Sequence, residues 1–106
     1  MKTSQTVRFV GGGALAPSTC QILADVLGRR VETVLDPQNI GSVGAAIITA
    51  CGLGEFKSVS DGARLVQAAH TYEPNPGNKQ IYDRSFRAFK QLYQNNQRTF
   101  ALLNGN

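Results

Sequence analysis

The sequence predicts an α/β fold whose sheet is incomplete, and two observations carry this prediction. Strand and helix signals follow one another in the order strand, helix, strand, helix, helix, helix. Two strands do not form a stable sheet alone, and an α/β layer with this many helices needs more strands. The second helix is apolar nearly all round and therefore needs neighbours on most of its sides. The 106 residues accordingly predict one domain at most, with a truncated sheet and packed helices.

The first strand and helix flank a run of three glycines. Residues 6–10 are mostly β-branched or aromatic, which favours a short strand that ends at Gly11–Gly13. Pro17 suits the first turn of a helix, where its missing N–H costs nothing, and Gly28 is typical of a helix end. Residues 31–35 then predict the second strand.

Two further helices and a loop are predicted between the second strand and residue 78. Residues 41–53 form the apolar helix, which we expect to be buried on most sides. Ser58 and Asp61 resemble a capping box, which would open a shorter helix that runs through Ala69. Residues 70–78 hold two prolines and a glycine, so they predict a loop.

A long helix from about Lys79 to Leu103 follows this loop. Its apolar residues recur at steps of three and four along one face, at Tyr82, Phe86, Phe89, Tyr93, Phe100 and Leu103. Such a face packs against a core far more often than it binds a ligand, so we expect it to be covered by other parts of the fold. Left uncovered, the same face would favour self-association.

The net charge of +4 raises the hypothesis of nucleic-acid binding. The cations are scattered, however, and Arg29-Arg30 is the only adjacent pair. Arg84, Arg87 and Lys90 share one stripe of the long helix, which we expect to face solvent, with phosphate contact as the alternative. Without a clustered basic patch, we predict no nucleic-acid partner.

The cysteines and the single histidine do not predict a metal site. Cys20 and Cys51 fall within apolar helical patterns, so we expect buried free thiols of a cytosolic protein. They form neither a CxxC pair nor, with His70, a zinc-ligand set. His70 follows the predicted short helix and is expected to cap its carbonyls. The chain has no apolar stretch typical of a signal peptide or of a membrane span, so we expect a cytoplasmic protein without a membrane partner.

Two aspartates near the glycine run receive structural interpretations. Asp25 lies on the polar side of the first helix, where a solvated acid is expected rather than a general base. Asp36, which precedes Pro37, is interpreted as a turn former. The sequence therefore predicts no catalytic residue within the chain.

The junction of strand, glycines and helix carries the clearest chemical signal. Residues without side chains let the backbone approach a ligand closely, and a helix start presents N–H groups and a positive dipole end. Gly11, Gly12, Gly13 and Ala14 would accordingly bind a phosphate or a flat nucleotide. The run matches neither G-x-G-x-x-G nor a Walker A loop. Local sequence alone therefore slightly favours the alternative, a tight turn without a ligand.

Three blocks, in this order, resemble the FGGY carbohydrate kinases and particularly their xylulose kinases. Residues 9–14, Phe-Val-Gly-Gly-Gly-Ala, with the helix residues 21–28 and Val31, are similar to the family's adenosine motif. Residues 40–46 resemble the family's glycine- and alanine-rich helix. The closing block, which comprises residues 72–76, Tyr82 and residues 89–93, is similar to the end of these kinases.

The resemblance implies a ribonuclease H-like (actin-like ATPase) fold and a nucleotide site. Such kinases bind ATP between two lobes and transfer its γ-phosphate to a sugar hydroxyl with Mg²⁺. By position, Gly12, Gly13 and Ala14 would lie against adenine, ribose and phosphates, and Pro17 and Ser18 would edge the adenine. Many xylulose kinases have Ser where this chain has Ala16, so a side-chain hydrogen bond at that position is not expected.

The resemblance also implies which parts are missing. The chain as a whole, residues 1–106, corresponds to the C-terminal portion of the second lobe, and the N-terminal lobe would carry the catalytic aspartate and the sugar-binding residues. ATP and ADP are therefore expected partners, whereas the sugar would be bound only through the missing lobe. We expect the chain alone to be inactive. The alternative hypothesis is a non-enzymatic interaction module that forms a homodimer through its aromatic helix.

Overall fold

A computed structural model of the protein describes residues 4–105. Seven main elements follow one another in this part of the chain, and short 3₁₀ turns connect several of them. None of the described helices is both long and apolar enough to cross a membrane. In chain order the elements are β1 (Thr6–Phe9), α1 (Pro17–Leu27), β2 (Arg30–Val34), α2 (Ile40–Gly52), α3 (Val59–Gly62), β3 (Ala68–Tyr72) and α4 (Lys79–Leu103).

The three strands form one mixed sheet in the order β1-β2-β3. Strand β1 pairs with β2 in parallel, with Thr6 opposite Arg30 and Phe9 opposite Thr33. Strand β3 pairs with β2 in the antiparallel direction, and the register is irregular between Glu32 and Val34. Helix α1 connects the two parallel strands, which is the usual way to join parallel neighbours.

The core is small and centres on strand β2. Val31 and Val34 of this strand are fully buried, and Cys20 and Ala24 of α1 have no exposed surface. Ala14 and Ile47 complete the buried apolar set among the described residues. Strand β2 and helix α1, which packs against it, each supply two of these six residues.

Most predicted elements are confirmed. The strand predictions 6–10 and 31–35 correspond to β1 and β2, and the long helix has the predicted bounds Lys79–Leu103. Helix α1 begins at Pro17 and is capped after Leu27 by Gly28, whose φ of 60° is the left-handed conformation that glycine adopts readily. The helix cap predicted at Ser58 is also present, because the Ser58 hydroxyl accepts a hydrogen bond from the Asp61 N–H at 3.2 Å.

The helix predicted through Ala69 and the loop predicted for residues 70–78 are wrong in part. The helix ends at Gly62 and gives way to a 3₁₀ turn, and residues 68–72 form strand β3. The segment has apolar residues at helical spacing and low intrinsic strand preference, but the open edge of β2 offers it backbone partners. The Leu35 N–H donates to the Gln67 carbonyl at 3.0 Å at the start of this pairing. His70 consequently lies within a strand, so the prediction that it caps a helix is wrong.

The predictions that α2 and the aromatic face of α4 are buried are also wrong. Helix α2 buries only Ile47, whereas Ile48 is 62% exposed, so the helix is not surrounded by neighbours. The aromatic face of α4 is uncovered as well, with Phe89 68% exposed. The cysteines differ from each other, since Cys20 is buried and Cys51 is only half-buried. The described chain therefore presents two long apolar surfaces to solvent.

Helix α4 extends away from the rest of the fold. The radius of gyration is 18.9 Å, whereas a compact chain of this length has about 13 Å. The helix contacts α1 near its own start and is exposed from Asp83 to Phe100. Arg84, Arg87 and Lys90 lie in this exposed part, as predicted for a solvent-facing stripe.

Candidate functional site

A tight turn at Gly11 ends strand β1. Gly11 has φ 91° and ψ 179°, a conformation that is essentially restricted to glycine. Its N–H donates to the Pro37 carbonyl at 2.8 Å, which ties the turn to the segment that follows β2. Residues Gly12–Leu15 then form a 3₁₀ turn before α1 begins at Pro17. The junction is therefore a strand, a 3₁₀ turn and a helix, rather than the direct strand-to-helix step expected from the sequence.

The other two glycines of the run have different surroundings. A Cβ added at Gly12 would meet nothing within 4 Å, so this backbone faces open space. A Cβ added at Gly13 would lie 3.1 Å from Cζ of Phe9, so the ring of Phe9 occupies the space beside this glycine. The lack of a side chain at Gly13 thus serves packing within the chain, whereas Gly12 is open to a ligand.

A groove lies next to this turn, at the carboxyl ends of the two parallel strands. This edge is where open α/β sheets usually bind ligands. The groove has a volume of about 450 Å³, within the range of small-molecule sites. It is lined by Ala14, Leu15, Pro17, Thr33, Val34, Leu35, Asp36, Pro37, Ala69, His70 and Tyr72.

The structure brings some of the sequence-predicted site residues into this groove. Ala14 and Pro17 line it, although Ala14 is 7% exposed. Gly12, Gly13 and Ser18 are exposed on the adjoining turn and the first turn of α1. Gly11 is half-buried, and its N–H is taken by Pro37.

Sequence reasoning missed the wall of the groove that comes from β2 and β3. Thr33, His70 and Tyr72 line this wall, and the Thr33 hydroxyl donates to the His70 carbonyl at 3.5 Å. The available signal was the Asp36-Pro37 turn, which follows β2 directly. Asp36 adopts a left-handed conformation with φ 47°, so the chain reverses at the rim of the groove.

Asp25 is buried and fully hydrogen-bonded, so its prediction as a solvated acid is wrong. Its Oδ1 accepts from the Asn75 N–H at 2.7 Å and from Gln21 Nε2 at 2.9 Å. Its Oδ2 accepts from Asn78 Nδ2 at 2.8 Å. The carboxylate therefore fastens the segment between β3 and α4 to helix α1. These bonds lower the pKa of Asp25, with the Asn75 N–H as the largest cause, followed by Asn78 and Gln21.

A pH dependence of stability follows from this carboxylate. The lowered pKa means that the unfolded state binds more protons near the ordinary aspartate pKa of about 3.9. We expect the stabilisation from Asp25 to be complete above that pH and to be lost as the pH falls through the lower pKa of the folded state. Thermal unfolding of Asp25→Asn between pH 3 and 7 should show lower stability at pH 7 and a flatter pH profile.

Asp83→Asn is the matched control, because Asp83 is an exposed carboxylate on α4 that pairs with Lys79. This change should alter stability at pH 7 by less than about 0.5 kcal/mol. If Asp25→Asn were as stable as the parent chain at pH 7, the proposed fastening of α1 to residues 75–78 would be contradicted.

Comparison with known proteins shows that the residues of the glycine turn and most of the groove match a protein family. Residues 2–53 match the C-terminal domain of the FGGY family of carbohydrate kinases. The chain belongs to this family. The matched residues include β1, the glycine turn, α1, β2 and α2, so they contain most of the groove. The FGGY resemblance seen in the sequence is confirmed.

Relatives and a solved structure extend the FGGY match over most of the chain. The autoinducer-2 kinase of Enterobacter sp. (strain 638) is 30% identical over 86% of this chain and 17% of its own length. The xylulose kinase of Staphylococcus epidermidis is 29% identical over 92% of this chain and 20% of its own. A crystal structure of xylulose kinase from Lactobacillus acidophilus, at 21% identity, has a TM-score of 0.79 over 91% of this chain and 19% of that one.

These FGGY comparisons establish the fold of the chain and the share of an FGGY kinase that it represents. The described α/β segment is part of the actin-like ATPase fold of FGGY kinases, as predicted. The chain spans about a fifth or less of the length of the relatives that it matches. Strand β3 and helix α4 lie beyond the part matched to the FGGY C-terminal domain.

Proposed function

We propose that the chain is the ATP-binding-side segment of an FGGY carbohydrate kinase that phosphorylates a sugar such as xylulose. The observation that carries this proposal is the open groove beside Gly12, at the carboxyl edge of parallel strands within the FGGY-matched residues. Relatives named xylulose kinase and autoinducer-2 kinase support a sugar-type substrate. The chain alone is inactive in this proposal, because the sugar would be bound by the remainder of an FGGY kinase.

The groove and the adjoining glycine turn supply two kinds of contact for a nucleotide. Leu15 and Leu35 flank it and are 60% and 56% exposed, so they offer apolar walls to a flat base. Gly12 offers backbone without a side chain, which lets phosphate or ribose oxygens approach the main chain. Pro17 and Ser18, in the first turn of α1, would edge the base, as the family resemblance implies.

Magnesium is assigned outside this segment. Among residues 4–105 there is no group of three or more His, Cys, Asp or Glu side chains that would hold a metal ion. Asp36 is the single carboxylate that lines the groove. The described residues therefore fit a nucleotide better than a metal, and Mg²⁺ would be held by the rest of an FGGY kinase.

Nucleotide titration tests this proposal. We expect ADP to shift the amide signals of Gly12–Ala14, and Gly12→Val to abolish the shift because its side chain would fill the open space. Gly52→Val is the matched control, since a Cβ at Gly52 also meets nothing within 4 Å and lies at the end of α2. Equal ADP binding by the parent chain and by Gly12→Val would contradict the proposed site.

A second candidate function is an interaction module that self-associates through α4. One observation favours it, namely the exposure of the aromatic face of this helix. The two functions are separable, because ADP-induced shifts at the glycine turn test only the first. Changes to α4 that alter the number of associated copies test only the second.

A further inference from the structure

Helix α4 carries a regular seam. Its members follow one another at alternating steps of four and three residues. This repeat is the pattern that lets two helices pack along their length. Six of the seven members are apolar or aromatic, and the seventh is an asparagine. The α4 seam comprises Tyr82, Phe86, Phe89, Tyr93, Asn96, Phe100 and Leu103.

Helix α1 covers only the beginning of the seam. Asn78, just before α4, donates a hydrogen bond to Asp25 of α1, and Tyr82 is half-buried. From Phe86 onward the seam is open, with Phe86 55% and Tyr93 63% exposed. The open part thus begins where contact with the rest of the fold ends.

We propose that a second copy of the chain covers the open seam, with the two α4 helices antiparallel. The inference does not depend on nucleotide binding. Four partly exposed aromatic rings and Leu103 offer on the order of 500–600 Å² per copy, since an aromatic side chain buries about 150–250 Å². Two copies would bury at most about 1,100 Å² in total, which clears the roughly 1,000 Å² needed for a biological interface and lies at its low end.

The polar member of the seam selects one register. When Tyr93 faces Asn96 of the second copy, Phe89 faces Phe100 and Phe86 faces Leu103. A buried amide needs a hydrogen-bond partner, and the Tyr93 hydroxyl supplies one to the carboxamide of Asn96. The symmetry of the pair makes this contact twice.

Two registers that are shifted toward the start of α4 are less favourable. A shift by one heptad places Asn96 opposite Phe86 and brings Lys90 beside Lys90 of the second copy. A further shift pairs Phe86 with Phe89 and lays the second helix over Tyr82, which the fold already half-buries. The Tyr93–Asn96 register avoids both the like-charge contact and the collision.

Molar mass by light scattering or sedimentation tests the association. We expect the parent chain to be a dimer at micromolar concentration and Phe89→Asp to be a monomer. Leu102→Asp is the matched control, because Leu102 is 81% exposed and lies nine residues after Tyr93, about 180° around the helix. This control should remain a dimer. Because Phe89 lies outside the buried core, unchanged amide signals of β2 would show that Phe89→Asp is folded.

A double-mutant cycle tests the register. Tyr93→Phe and Asn96→Leu should each raise the dimer Kd about 5- to 100-fold. The first leaves the Asn96 carboxamide without its hydrogen-bond partner, and the second leaves the Tyr93 hydroxyl without one. The double variant should recover affinity, since the layer becomes wholly apolar. Additive effects would overturn the register.

Two outcomes would overturn the association itself. One is a parent chain that stays monomeric at 100 micromolar. The same conclusion would follow if an added N-terminal portion of an FGGY kinase, rather than a second copy, covered the seam. The other is a dimer that persists in Phe89→Asp.

Discussion

The chain alone is expected to release no ADP above background when it is supplied with ATP, Mg²⁺ and D-xylulose. Phosphoryl transfer requires that nucleotide, metal and acceptor hydroxyl be held together, so one wall of a site does not suffice. In the proposed function the groove would contribute a wall for the nucleotide only, and the described residues contain no cluster for a metal. A coupled ADP-release assay measures this directly, with an intact FGGY xylulose kinase as the positive control.

Asp36 makes this expectation sharper, because it is the one carboxylate that lines the groove. If the chain did turn over, Asp36 would be the nearest candidate for a general base. Turnover by the parent chain that disappears in Asp36→Asn would show that the segment contains its own catalytic group. Such a result would contradict the proposal that the chain needs the remainder of an FGGY kinase.

The second large effect is expected at Gly62, where α3 meets α2. A Cβ at this buried glycine would lie 2.4 Å from Cγ2 of Ile47 and 3.2 Å from Cδ2 of Phe56. Gly62 has an ordinary helical backbone, with φ −67°, so strain at the backbone does not enter. Alanine is the better helix former by about 1 kcal/mol, but overpacking a core costs about 1–3 kcal/mol. The steric term should win, because the opposing Ile47 atom belongs to a stiff β-branched side chain.

We therefore expect Gly62→Ala to lower the free energy of unfolding by about 1–3 kcal/mol in urea titrations. Gly52→Ala is the control, since a Cβ at that glycine meets nothing within 4 Å, and it should be neutral or stabilising. Ile47→Leu removes the Cβ branch, so the double variant Ile47→Leu with Gly62→Ala should recover part of the loss. Additive losses would show that the two side chains do not collide.

Local signals were sufficient to predict the elements that have strong boundaries. Pro17 and Gly28 delimit α1 because each fits one end of a helix by its own backbone chemistry. The prolines before Lys79 and the repeat that follows likewise predict α4 over its full length. The glycine turn of the candidate site was predictable for the same reason, since Gly11 adopts a conformation that other residues avoid.

Features that depend on distant partners were not predictable from one sequence. Strand β3 exists because the edge of β2 pairs with a segment of weak strand preference, so the groove wall at His70 was missed. Asp25 has an unremarkable position on a helix, and its partners Asn75 and Asn78 lie some fifty residues away. The periodicity of α4 predicts an apolar face, but periodicity alone does not state what covers it.

The outward course of α4 governs how the protein behaves in solution. The chain's radius of gyration of 18.9 Å equals that of a compact chain of about 290 residues, so one copy should elute early from a size-exclusion column. Elution volume would then overstate the number of copies, whereas scattered-light intensity would not. Pairing of two copies through their α4 helices should make the particle longer rather than more spherical. The largest dimension measured by small-angle X-ray scattering would report that elongation.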